Sequence, residues 1–240
     1  YAIPLAFDIV NDSIRPKFIN NFLNSISRKS IGDDGKEYPE YSLMTGFIGT
    51  AWISIALSKI GNTDFAYKML LNKNFPSWLY PVEQGATTIW ERLNACTKDN
   101  GFGGNNHMNS FNHYAFGSVT NWLMQHSIGI AEDSKVPGFK HFILCPETDS
   151  IGVLQYAKGH YDSMYGRIES SWNANGNTMI YEFTVPANTS ATVYLPNKEI
   201  KDITIYGKEK KISPVSSIKY DKGKISFELY SGSYSFSIKK

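Results

Sequence analysis

Apolar positions recur at steps of three and four along the first half of the chain and alternate along the second. From about residue 12 to 28, Ile14, Phe18, Ile19, Phe22, Leu23 and Ile26 fall on one face of a helix, with Asp12 or Ser13 as its N-cap. Residues 1 to 10 read as an apolar helix already in progress. Between about 45 and 59, Phe47, Ile48, Ala51, Trp52, Ile55, Ala56 and Leu57 cover most of the circumference, which predicts a helix buried on most sides. Gly46 and Gly49 lower helix propensity there, so close packing or a ligand is expected to explain them. Gly61-Asn62 stops that run, and a third helix is expected over about 64 to 71. A last helix is expected from about 111 to 130, with Tyr114, Val119, Trp122, Leu123 and Ile128 as apolar positions. The segment Asp99-Asn100-Gly101-Phe102-Gly103-Gly104-Asn105-Asn106 reads as a loop.

Near Pro137 the period changes from about 3.6 to 2. Strands are expected at residues 141–145, 153–161, 166–173, 178–184, 190–195, 201–206, 217–220, 224–229 and 232–238. Asn175-Gly176, Pro186-Ala187-Asn188, Asp221-Lys222-Gly223 and Ser231-Gly232 separate them as turns. Short strands at this spacing predict an antiparallel β-sandwich. The lysines between Lys198 and Lys211 read as a solvated strand face.

Composition narrows the functional classes. The 240 residues are 42% hydrophobic and only 19% charged, enough for a sizeable core. A formal net charge of +2 gives no electrostatic case for nucleic acid. No apolar run reaches the roughly 18 residues of a membrane span. Cys96 and Cys145 have no metal-ligand spacing and are expected as free thiols. His107, His126, His141 and His160 make no ligand cluster, so neither a metal nor another cofactor is expected. The chain opens without an initiator methionine or a leader, and is expected to be a piece of a longer protein.

The candidate chemistry lies between the two patterns. Glu91 follows Trp90, and His113 sits among aromatics some twenty residues on. Trp78 and Tyr80 precede them. A carboxylate can take a proton from water, an imidazole can bond sugar hydroxyls, and aromatic faces can take the C–H face of a pyranose. Each residue also has a plainer role: Glu91 pairing with Arg92, His113 as a satisfied core histidine, and Trp90, Trp78 and Tyr80 as core. Glu83 is a rival carboxylate, expected to shape its loop. Trp52 and Trp122 are expected in the core.

Several ungapped motifs resemble the bacterial α-L-rhamnosidases. They are Tyr41-Ser42-Leu43-Met44-Thr45-Gly46-Phe47-Ile48-Gly49-Thr50, Pro76-Ser77-Trp78, Glu83-Gln84-Gly85-Ala86-Thr87-Thr88-Ile89-Trp90-Glu91-Arg92 and Asn112-His113-Tyr114-Ala115-Phe116-Gly117-Ser118-Val119. Pro137-Gly138-Phe139-Lys140-His141-Phe142, Tyr161-Asp162-Ser163-Met164-Tyr165-Gly166 and Val185-Pro186-Ala187-Asn188-Thr189-Ser190-Ala191 continue the match in order. The resemblance implies an inverting glycoside hydrolase with an (α/α)6 barrel followed by a β-sandwich. Residues 1–135 would be the C-terminal part of the barrel and 136–240 the sandwich. It implies that Glu91 is the general base and that His113 contacts the rhamnose ring. An inverting enzyme holds its two carboxyls about 6.5–9.5 Å apart, with a water between them. The family's general acid lies in an Asp/Arg/Glu-rich motif beginning Asp-Cys-Pro, which this sequence lacks and which is expected to precede Tyr1. Leu93 departs from the family, which usually has a second tryptophan there.

The reading that follows is a fragment of an α-L-rhamnosidase acting on terminal α-L-rhamnosyl residues of a glycan or glycoside. The fragment alone is expected to be inactive without the missing N-terminal part, and the full-length protein to be periplasmic or secreted. The alternative is a non-catalytic carbohydrate-binding or structural β-sandwich module.

Overall fold

The structure is a computed structural model that describes residues 1–103, 109–196, 200–206, 218–221 and 223–239. Gly104, Asn105 and Asn106 of the expected loop, His107, and the side chains over 198–211 lie outside that description. The chain forms two units, Tyr1–Trp122 and Leu123–Lys240.

The first unit is helical: α1 (Ala2–Ala6), α2 (Arg15–Ile26), α3 (Phe47–Lys59), α4 (Thr63–Leu70), α5 (Leu79–Glu83) and α6 (Val119–Trp122). Helix α2 starts three residues later than the pattern suggests. Asn11, rather than Asp12 or Ser13, organises the entry, its Oδ1 accepting from the Ser13 main-chain N–H at 3.0 Å. Pro16 then sits in the first turn, where a missing N–H is harmless. Phe22 and Ile26 are the buried face of α2. Gly46 stands outside the helix as the N-cap of α3 in an extended conformation, and the Thr45 and Thr50 hydroxyls meet at 2.7 Å across that cap. A Cβ on Gly49 would come 3.3 Å from the Thr45 Cβ, so close packing accounts for that glycine. Gly61, at φ +77°, ends the run, as the left-handed turn after a helix requires.

Leu57, Ala56, Ala66, Tyr67, Met69 and Trp122 form the core. Trp122 donates its indole N–H to Ser58 Oγ at 2.8 Å and meets Tyr67 edge to face at 5.1 Å. Trp52 is half-buried against Phe7, with ring centroids 4.5 Å apart. One feature has no counterpart in the helical pattern: a hairpin of β1 (Ser30–Ile31) and β2 (Glu37–Tyr38) around Gly35.

The second unit opens on a π-helical turn, Leu123–Ser127, and then becomes sheet. Its strands are β3 (Ile130–Glu132), β4 (His141–Leu144), β5 (Tyr156–Ser163), β6 (Gly166–Asn175), β7 (Thr178–Pro196), β8 (Ile200–Tyr206), β9 (Lys219–Asp221) and β10 (Lys224–Lys239). The sheet therefore begins at Ile130, ahead of the period change near Pro137. Strands β7 and β10 are long enough to serve two leaves. One leaf runs β5–β6–β7–β10–β8 through residues 178–185 and 232–239. The other runs β3–β4–β7–β10–β9 through residues 190–196 and 224–230.

At the bend between leaves, Tyr230 pairs with Ser190 while Gly232 already pairs with Val185. The Pro186-Ala187-Asn188 signal is thus a corner within one strand, not a turn between two. Asn188 takes φ +60° there and Thr189 Oγ1 donates to the Pro186 carbonyl at 2.7 Å. Phe227 on one leaf meets Phe236 on the other, their ring centroids 5.2 Å apart. The β4–β7 ladder is parallel, whereas the remaining ladders of the described residues are antiparallel. The β5–β6 hairpin intervenes between β4 and β7, and such a crossover is what permits parallel pairing. His141 on β4 bridges this ladder, with Nδ1 2.7 Å from Ser190 Oγ and Nε2 2.9 Å from Thr192 Oγ1.

Both cysteines are free, and burial pushes the Cys145 thiol up despite Lys224 beside it. Burial also pushes Tyr181 up to about 12. Trp172 is fully buried and donates its indole N–H to the Ser127 carbonyl at 2.8 Å. Trp172→Phe removes that bond and some ring volume. We expect a loss of about 1–3 kcal/mol in a denaturant titration. An unchanged midpoint would show that the bond contributes nothing net.

Candidate active site

Two irregular segments of the first unit are bound to each other. The main-chain N–H of Glu91 donates to the Ser110 carbonyl at 2.8 Å, and that of His113 to the Ile89 carbonyl at 2.8 Å. Thr88 Oγ1 donates to the Phe111 carbonyl. These bonds explain why the last helix does not begin at Phe111. Residues 110 to 113 are committed to the neighbouring segment, and helical turns start only at Ala115–Ser118. Glu91 and His113, far apart in sequence, are thereby set on adjoining rungs.

The Glu91 carboxylate is half-buried, and its Oε2 accepts the Ser110 main-chain N–H at 2.8 Å. Ser110 thus holds Glu91 twice, by its carbonyl and by its N–H. Among the described residues, the bond from that N–H engages one of the two carboxylate oxygens. The His113 ring is half-buried between Phe47, at 4.7 Å, and Tyr114, stacked at 5.6 Å. Its Nδ1 accepts the Ala115 main-chain N–H at 3.3 Å.

The remaining expected residues are placed differently. Trp90 is buried, meets Phe111 edge to face at 5.5 Å, and lines a cavity of about 570 Å³ with Phe102, Asn109, Cys96 and Thr87. Glu91 and His113 are not among its lining residues. Trp78 is buried, and its indole N–H donates to the Phe116 carbonyl at 2.9 Å. Tyr80 is half-buried against Phe75 at 5.3 Å. Leu93 is buried too. Glu83 is exposed and paired with Lys73 at 2.7 Å, and that ammonium holds its carboxyl below the usual range. Gly46 and Gly49 line a separate cavity of about 830 Å³ with Met44, Thr45 and Ser42.

The partners that sequence reasoning missed are main-chain groups, of Ser110, Ile89 and Ala115, together with the Phe47 ring. A main-chain donor has no residue-type signature, so only the fold reveals it. Among the described residues, no group of three or more His, Cys, Asp and Glu is placed to hold a metal ion. No helix among them is long and apolar enough to cross a membrane.

Comparison with known proteins shows which family the chain resembles. The family described as bacterial alpha-L-rhamnosidase 6 hairpin glycosidase domain matches residues 1–127, and the bacterial alpha-L-rhamnosidase C-terminal domain matches residues 129–210. An alpha-L-rhamnosidase of Formosa agariphila is 33% identical over 245 residues, covering 100% of this chain and 24% of that protein. One from an Alteromonas species is 37% identical over 196 residues, covering 82% of this chain and 20% of that protein. The crystal structure of the Streptomyces avermitilis alpha-L-rhamnosidase complexed with L-rhamnose superposes with a TM-score of 0.82 at 30% identity, covering 100% of this chain and 21% of that one. The structure of the alpha-L-rhamnosidase from Dictyoglumus thermophilum gives 0.79 at 28% identity, covering 100% of this chain and 25% of that one. The chain thus spans about a quarter or less of the proteins it matches.

Proposed function

The chain belongs to the bacterial α-L-rhamnosidase family, and from that premise we propose that it is the part of an inverting α-L-rhamnosidase that carries the general base. Its first unit is the C-terminal portion of the six-hairpin barrel, and its second is the terminal β-sandwich. The whole protein hydrolyses terminal α-L-rhamnosyl residues of a glycan or glycoside. Glu91 takes a proton from the attacking water, and His113 bonds a hydroxyl of the rhamnose ring. Trp90 offers the aromatic face of the cleft, and the buried Trp78 and half-buried Tyr80 support it by packing.

The observation that carries this reading is the clamp at Glu91. A half-buried carboxylate has one oxygen fixed by the Ser110 N–H, and His113 is anchored beside it on Ile89. Orientation of this kind is what a general base needs, because proton abstraction requires a fixed approach to one water. The general acid lies outside this chain and protonates the leaving oxygen.

The division of labour is testable directly. The chain alone, its fold checked by circular dichroism, should hydrolyse an aryl α-L-rhamnoside at least about 10²–10⁴-fold more slowly than the full-length protein, since general acid catalysis is absent. Equal turnover by both would place the acid within residues 1–240 and end this assignment.

A further inference from the structure

We infer that His113 meets the sugar only as a hydrogen-bond donor, through Nε2–H, and that the main-chain N–H of Ala115 sets this tautomer. The inference rests on the proposal that His113 contacts the rhamnose ring. A neutral imidazole has one donor nitrogen and one acceptor nitrogen, and whichever nitrogen already accepts a bond cannot carry the proton. Here Nδ1 is the acceptor, taking the Ala115 N–H at 3.3 Å. The proton is therefore on Nε2, and among the described residues no hydrogen bond engages Nε2, the nitrogen that would meet a ligand. Sequence alone allows the ring to donate to one hydroxyl and accept from another. The fold removes the second possibility.

Three further contacts keep the ring in this pose. Its own main-chain N–H is bound to the Ile89 carbonyl at 2.8 Å, so the residue cannot slide along the segment. The Phe47 ring lies 4.7 Å away, tilted by 33°, and Tyr114 stacks within 9° of parallel at 5.6 Å. Ala115 opens the 3-10 turn Ala115–Ser118. Its N–H is one of the groups that a helical start leaves without an intrahelical acceptor. The imidazole satisfies that donor, and the donor in turn orders the imidazole. Ala115 is thus a positioning residue that acts through His113. The sugar atom facing Nε2 must present an acceptor lone pair, so a hydroxyl there donates elsewhere. A substrate whose hydroxyl at that position is replaced by a group that only donates, such as a protonated amine, would be rejected.

The test reads the ring nitrogens of His113 by nitrogen-15 NMR in the full-length protein. It also replaces Ala115 by its α-hydroxy analogue, which turns the N–H into an ester oxygen. The expected result is a neutral ring protonated at Nε2 in the native protein, with the Nε2–H signal moving on saturation with L-rhamnose. In the ester protein the tautomers should mix, and rhamnose affinity should fall as the inverse of the remaining Nε2–H fraction, about 2-fold at equal populations. A ring protonated at Nδ1, or an ester protein with unchanged tautomer and affinity, overturns the inference. An Nε2–H tautomer whose signal ignores rhamnose removes the sugar contact beneath it and the donor assignment with it, which distinguishes the two failures. If the ester protein does not fold, two variants decide instead. His113→Gln can place an amide N–H near the Nε2 position, whereas His113→Asn reaches only the Nδ1 position. Tighter rhamnose binding by the Gln variant supports the assignment, and equal or tighter binding by the Asn variant overturns it.

Discussion

Replacing Glu91 by glutamine in the full-length protein should lower kcat on an aryl α-L-rhamnoside by about 10²–10⁴-fold, the usual worth of a general base. The amide keeps the size of the side chain and loses the basicity. It also keeps an oxygen that can accept the Ser110 N–H, now bound at 2.8 Å. The clamp therefore survives, and stability should change by less than about 1 kcal/mol. A fall in kcat together with a folded protein of normal melting temperature separates chemistry from structure.

Glu83→Gln is the matched control. Glu83 is an exposed partner of Lys73, so its variant should keep turnover near the native level. Should Glu83→Gln abolish turnover while Glu91→Gln retains most of it, the two roles must be exchanged. Loss of melting temperature in Glu91→Gln alongside lost activity would instead assign the carboxylate to the loop's architecture.

Much of the fold is legible in the sequence because burial imposes a period. Helix α3 and the alternating strands follow from side-chain spacing alone, and Gly61 and Asn175-Gly176 mark real turns. What stays illegible depends on distant chain. A turn-forming Pro186-Ala187-Asn188 looks the same whether it ends a strand or bends one. The decision lies with β10, which pairs with both sides of the corner. The parallel β4–β7 ladder is hidden for a similar reason, since alternation reports burial and not strand direction. The short β1–β2 hairpin buries too little to leave a period.

At the site, residue type picks out Glu91 and His113 because their chemistry is unusual beside so many aromatics. The same reasoning treats Trp78, Trp90 and Tyr80 alike, and the structure separates them. Trp78 spends its indole N–H on the Phe116 carbonyl, while Trp90 has a cavity against it. Each environment depends on residues more distant in sequence: Phe116 for Trp78, and Phe102, Asn109 and Phe111 for Trp90. The bonds that orient Glu91 and His113 are main-chain bonds, which any residue could make and no motif announces.

Gly129→Ala should be the most disruptive single-methyl change in the second unit. Gly129 precedes β3, at φ +76°, and its carbonyl accepts the Cys145 N–H at 2.8 Å. The peptide linking Cys145 to Pro146 passes directly over its α-carbon. A Cβ there would lie 2.1 Å from Pro146 N, 2.3 Å from Cys145 C and 2.6 Å from Pro146 Cα. All three atoms are main chain, so no rotamer change relieves the overlap. Moving that peptide would also break the start of the β3–β4 pairing, where Ile130 faces Leu144. The left-handed backbone costs an alanine about 1–2 kcal/mol, and an overlap of this kind adds about 1–3 kcal/mol or more. Gly176 isolates the first contribution. It has φ +55° in the β6–β7 turn, and a Cβ there meets nothing within 4 Å. Gly176→Ala should therefore be only mildly destabilising, while Gly129→Ala should unfold well below it, by several degrees or more at about 2–4 °C per kcal/mol. Equal melting temperatures for the two variants would mean that the Cys145–Pro146 peptide yields readily, and that Gly129 is needed only for its backbone angle.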